Sequence, residues 1–289
     1  MTIVYACIAP HGGEIISELA KNREISDLFS KTRAGVMNLT AQMKTAKPDT
    51  IVIASPHNLR LWKKIGIVFA ENSTGYLVSD SKSKARISIS VKCDTKFARE
   101  LYARALNKRL PVVGVNYGTF EGPASDLPMD WGTFIPLWFF MEGKRHHGKQ
   151  IIEPKVVIVS PSREIPLNQN VAFGREIARL AEAQKNRRVI FVASADQAHT
   201  HKKGGPYGFQ PAAEKFDDLA VDAIRKGDIG SLLDLDPRFI ENAKPDSIWQ
   251  LAMLQGVLSE VPMRPKLFSY QVPTYFGMLS AGFSPLAWK

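Results

Sequence analysis

Short runs that are apolar at almost every position constrain this chain most: 2–9 ("TIVYACIA"), 50–55 ("TIVIAS"), 111–115 ("PVVGV"), 155–160 ("KVVIVS") and 188–194 ("RVIFVAS"). A strand with one wet face alternates apolar and polar residues, whereas an unbroken apolar run is buried on both faces. Such strands belong to a sheet with a layer of helices on each side. Helix-period segments lie between them. One covers 24–46, with Ile25, Leu28, Phe29, Val36, Leu39 and Met43 on one face; another covers 94–109 and opens on Asp94 as an N-cap; a third covers 168–185. Further strands are expected at 65–70 and, with half-exposed alternation, at 85–91. Helical segments near 212–226, 228–235 and 245–259 precede closing strands at 266–272 and 275–283. The order predicts an α/β fold: one domain over residues 1–289, with a central mixed sheet flanked by helices on both faces. No Pro/Gly/Ser-rich linker divides it. The Gly/Pro-rich stretch 116–133 falls between a strand and a helix and reads as an active-site loop or lid.

Composition narrows the function classes. The 289 residues carry 38 Lys+Arg against 28 Asp+Glu, a net charge of +10. The basic residues are dispersed over 82–86, 144–149, 185–188 and 201–205, with no interleaved aromatics and no zinc-finger spacing. That favours a solvated surface, or attraction of small anionic substrates, over nucleic-acid binding. Two cysteines cannot form a disulfide framework, and Cys7, inside an apolar strand, reads as a buried thiol. The N-terminus lacks the basic region of a signal peptide, and the densest apolar run, 134–141, is too short to span a bilayer. A cytoplasmic protein with no membrane partner is expected.

Two of the buried strands end in the same dipeptide. "PHGG" places His11 just past the first, and "SPHN" places His57 just past the second. A third strand end, "VASADQAHTH", adds Asp196, His199 and His201. The chain has 6 histidines, and the remaining two, His146 and His147, lie in a charged loop and read as surface residues. In open α/β sheets, ligands gather at the C-terminal ends of strands. Two neutral imidazoles there need a third, anionic ligand to hold a divalent metal firmly. Asp196, Glu14, Asp130 and Glu241 are all candidates, and spacing does not choose among them.

The segments "PHGG", "SPHN", "LPMDWGTFIPL" and "SADQAH", with "GPYGF" (205–209), "FIENAKPDSIWQLAMLQGVL" (239–258) and "YQVPTYFGML" (270–279), resemble in order the class III extradiol dioxygenase superfamily. This is the group of protocatechuate 4,5-dioxygenase catalytic subunits and DOPA ring-cleaving enzymes. The resemblance implies Fe(II) as cofactor (with Zn(II) as a possible substitute), held by His11, His57 and Glu241. It also implies His199 as the acid–base residue, Asp196 as a buttress, and no role for His201 beyond the loop. The implied reaction is extradiol cleavage of a catecholic or related aromatic ring by O2, in a protein that can form homo-oligomers. One departure stands out. The superfamily commonly has Asp-His-Gly where this chain has Asp130-Trp131-Gly132. Asp130, Trp131 and Asp196 are therefore substrate-pocket candidates, with the indole offering a flat face and a single N–H. Losing that histidine is also what a non-catalytic metal-binding or redox-scaffold relative would show, and the same ligands could serve a zinc hydrolase.

Overall fold

Four of the apolar runs lie side by side in the computed structural model, which describes residues 2–79, 84–142 and 154–286. The basic run 144–149, with His146 and His147, lies outside the described residues. Eleven strands are described: β1 (Ile3–Ala9), β2 (Thr50–Ala54), β3 (Ile65–Val68), β4 (Asn72–Val78), β5 (Arg86–Lys92), β6 (Val112–Val115), β7 (Asp126–Pro128), β8 (Lys155–Ser160), β9 (Val189–Ser194), β10 (Met263–Gln271) and β11 (Met278–Pro285). The helices are α1 (Arg23–Leu28), α2 (Ser30–Thr45), α3 (Thr95–Asn107), α4 (Trp131–Glu142), α5 (Leu167–Ala183), α6 (Ala212–Lys226), α7 (Pro237–Ala243) and α8 (Ile248–Glu260). The large sheet has the order β10-β11-β1-β9-β2-β8-β3-β6, and a smaller one the order β5-β4-β7. In the large sheet β1, β9, β2 and β8 run parallel, while β11 and β3 join them antiparallel. The sheet is mixed, and the fold is α/β.

Strand alternation sends side chains into two separate cores. Val52, Val157 and Phe191 face one core with Phe97 of α3, Phe173 of α5, Phe216 of α6 and Leu251 of α8. Ile51, Ile53, Ile158 and Ile190 face the other, with Leu39 of α2, Phe134 of α4, and Ile89 and Leu127 of the small sheet. Because β1, β9 and β2 are parallel and in register (Ala9 beside Ser194, Ala54 beside Ala193), their C-terminal ends share one edge. His11, His57 and Asp196 leave the sheet there.

Several elements differ from expectation, each for a local reason. The helix expected over 24–46 breaks at Phe29, which is fully buried, so the chain turns there to insert the ring. The segment at 228–235 is a 3-10 turn over Ile229–Asp234. The loop 116–133 contains β7, and Asp130 and Trp131 open α4. β11 starts at Met278 and not at 275, because Gly277 exchanges backbone hydrogen bonds with Gln197 and Ala198 beyond β9. Both cysteines are buried and free. No described helix is long and apolar enough to cross a membrane.

Candidate metal centre

His11 and His57 meet as their strand-end positions predict. Their Nε2 atoms are 3.1 Å apart, and Asp246 Oδ2 lies 3.3 Å from the first and 3.0 Å from the second. Among the described residues this is the group of three that could hold a metal. The triangle is itself a fit test. An octahedral face with edges of this length has its centre roughly 2.2 Å from each donor, an ordinary metal–ligand distance, whereas a tetrahedral face would need roughly 1.9 Å, short for nitrogen ligands. The donor set therefore fits a divalent ion bound on one face, with the opposite positions open.

Glu241, the carboxylate that the resemblance implied, is not the third member. It sits on the exposed side of α7, while Phe239, Ile240 and Ala243 turn that helix toward the core. Asp246 takes its place, five positions further on. α7 is capped by Asp236 with Pro237 in its first turn, and it stops at Lys244, a left-handed residue before Pro245. That short connection, just ahead of α8, delivers Asp246 to the strand edge. The Lys-Pro-Asp-Ser before an apolar helical run was the available signal, since connections between elements carry site residues.

Hydrogen bonds lock the three side chains. The Ser194 hydroxyl donates to the Gly132 carbonyl, so its oxygen accepts from His11 Nδ1 at 3.0 Å. This fixes a proton on Nδ1, so Nε2 is the nitrogen turned to the centre. Asp196 accepts the backbone N–H of His11 at 3.1 Å, and its own N–H donates to Asp246 Oδ1 at 3.1 Å. Asp130 accepts from Ser55 and Asn58, on either side of His57, and caps α4 through the Thr133 N–H. Glu14 is half-buried and outside the group.

The electrostatics suit a cation. Burial disfavours the His11 imidazolium, but the carboxylates of Asp196 and Asp246 outweigh it and raise its pKa to about 9. Burial likewise pushes up the carboxyl of Asp196. Asp246 moves the opposite way: burial is overcome by His11 and by hydrogen bonds from both histidines, which hold its carboxyl well below the usual range. The group gathers positive charge even without a metal.

A cavity of about 410 Å³ opens beside the triad and is lined by His57, Asp246, His199, Arg163, Tyr207 and Trp249, among others, with Glu241 and Lys244 at one wall. His199 stacks on Phe276, with ring centroids 5.2 Å apart, and its Nδ1 lies 3.0 Å from the Lys244 carbonyl. That nitrogen donates, so Nε2 of the neutral ring is the basic one. Arg163 lies over the Trp249 ring at 4.5 Å and has no acidic partner within ion-pair distance among the described residues. Trp131 stacks on His57, with centroids 4.3 Å apart, and is 48% exposed; it is not core packing beneath the apolar stretch of α4. His201 turns away and pairs with the fully buried Asp217 at 2.9 Å.

Known proteins resemble this chain over nearly its whole length. Protein CA_C1420 of Clostridium acetobutylicum is 23% identical over 266 residues, 91% of this chain and 54% of that protein. The chain thus spans about half the length of the curated relative it matches. The crystal structure of an uncharacterized protein of Escherichia coli K12, JW3007, superposes with a TM-score of 0.58 at 17% identity, covering 96% of this chain and 99% of that one. That likeness is one of fold. The family model described as "Catalytic LigB subunit of aromatic ring-opening dioxygenase" matches residues 5–283, nearly the whole sequence, and the chain belongs to that family.

Proposed function

We propose that this protein is a non-haem Fe(II) extradiol-type dioxygenase, opening the ring of a catecholic or related aromatic substrate with O2. The observation that carries the reading is the His11–His57–Asp246 group, two of whose members, His57 and Asp246, line a cavity together with His199. Two histidines and one carboxylate leave enough positions for a chelating diol and dioxygen together. Iron(II) held there would supply the electron transfer that lets O2 react with a bound aromatic ring.

The chain's own groups do the rest. Trp249 and Tyr207 offer flat walls to an aromatic ring. The guanidinium of Arg163, which lines the cavity without an ion-pair partner among the described residues, attracts an anionic substituent, as the net charge of +10 does at longer range. His199, held by Phe276 and the Lys244 carbonyl, presents Nε2 to accept the proton of a substrate hydroxyl and return it during ring opening.

Anaerobic reconstitution with Fe(II), followed by an oxygen-electrode screen of catechols and aminophenols, tests the reading. Oxygen uptake stoichiometric with ring loss is expected for at least one aromatic diol. His199→Phe should retain iron yet lose turnover by roughly two to four orders of magnitude. An iron-loaded protein that consumes no oxygen with any member of the panel would sink the proposal and leave the non-catalytic metal-binding alternative.

A further inference from the structure

The two histidines of the centre are held in different ways. His11 has a hydrogen-bonded orienter: Ser194 Oγ lies 3.0 Å from its Nδ1 and is itself fixed by the Gly132 carbonyl. His57 has none. Its Nε2 faces His11 and Asp246, and its Nδ1 has no hydrogen-bond partner among the described residues. Metal-ligating histidines almost always use their second nitrogen to fix the ring. Here the indole of Trp131 lies against the His57 ring instead, at 4.3 Å between centroids and 27° between planes.

The residues flanking Trp131 reach the same two ligands. Asp130 binds Ser55 and Asn58, which bracket His57 in the chain, and Gly132 accepts the hydroxyl that holds His11. Gly132 also has to be glycine. A Cβ there would stand 2.5 Å from Ser55 Oγ, 2.9 Å from Asp130 Oδ1 and 3.4 Å from His57 Cδ2. Three consecutive residues at the start of α4 thus grip both ligand loops, and Thr133 anchors them by closing the cap on Asp130.

We infer that Trp131 is a positioning residue for the metal ligand His57, its stacked indole replacing the hydrogen bond that orients His11. It is half exposed and belongs to neither core, so its substitution leaves both cores intact and the metal readouts separate orientation of the ligand from folding. The inference rests on the metal centre and not on ring cleavage, and it is tested with the metal alone.

Co(II) is titrated into the 289-residue protein, following both affinity and the visible spectrum of the bound ion, which reports ligand geometry. Trp131→Ala should weaken Co(II) binding by about tenfold to a hundredfold, the range for groups that orient metal ligands. It should also change the spectrum and leave the melting temperature of the metal-free protein where it was. Trp131→Phe, which keeps a stacking face, should recover affinity to within about threefold of wild type, with the original spectrum. Wild-type affinity and spectrum in Trp131→Ala would overturn the inference, as would a Phe variant no better than Ala. A wild-type protein that binds no Co(II) would remove the centre and the inference together; binding that follows the expected order without oxygen uptake would leave the inference standing and remove only the dioxygenase reading.

Discussion

At the scale of single residues, the centre depends on which carboxylate completes it. Asp246 and Glu241 both lie in the segment "FIENAKPDSIW", and both reach the cavity, but only Asp246 approaches the two histidines. Asp246→Asn keeps the shape and removes the anion, so it should abolish retention of iron after gel filtration, measured by elemental analysis. Glu241→Gln, altering an exposed side chain, should retain a full equivalent. The reverse pattern would return the third position to Glu241. The histidines were legible in the sequence because a strand end fixes where its next residues go, and parallel strands bring their ends to one edge. Asp246 was not, because a connection between two helices reaches that edge only through tertiary packing. The stacking of Trp131 on His57 was equally hidden: sequence could identify an aromatic residue beside the site but not the ring it covers.

At the scale of elements, the placement of Asp246 passes through α8 and its neighbour. α5 and α8 meet at Gly174 and Gly256, where a Cβ on Gly256 would stand 2.0 Å from the Val171 carbonyl oxygen and 2.9 Å from the Gly174 Cα. On an exposed helix, Gly→Ala stabilises by roughly 0.5–1 kcal/mol. Here the methyl would meet backbone, and overpacking of that kind costs about 1–3 kcal/mol. Gly256→Ala should therefore lower the melting temperature, and because α8 begins two residues after Asp246 it should also weaken metal binding. A raised melting temperature in calorimetry would refute the close contact. Legibility at this scale followed burial. The unbroken apolar strands and the long helices α3, α5 and α6 have periods that sequence displays. β4, β7 and α7 were not anticipated: β4 carries polar residues and Gly75, β7 has three residues, and α7 has seven. The Asp236-Pro237 start of α7 was a readable cap, but so short a helix has too few turns to show a face.

At the scale of the whole molecule, the buried charges of the centre tie stability to pH and to metal. In the metal-free protein the pKa of His11 rises from 6.5 to about 9 on folding. A base whose pKa is raised in the folded state stabilises fully below its unfolded value and loses that contribution as pH climbs through the folded one. The loss therefore falls between pH 6.5 and about 9. The raised carboxyl of Asp196 has the same sign, while the depressed carboxyl of Asp246 works in the acid range, stabilising above the usual carboxylate pKa and losing that contribution as pH falls. A bound divalent ion needs His11 deprotonated, so it competes with this proton and gains affinity as pH rises. Its stabilisation grows with affinity, since a ligand that binds only the folded state adds RT ln(1 + [L]/Kd). The melting temperature of the metal-free protein should thus decline from pH 6.5 toward 9, while that of the metal-loaded protein declines less, so the gain on adding metal widens across the window. His11→Gln, which cannot take up the proton, should flatten the metal-free profile and abolish the metal-induced gain. Scanning calorimetry of metal-free and loaded protein at several pH values measures both. A gain that stays constant from pH 6.5 to 9 would mean that His11 is not the group exchanging a proton for the metal.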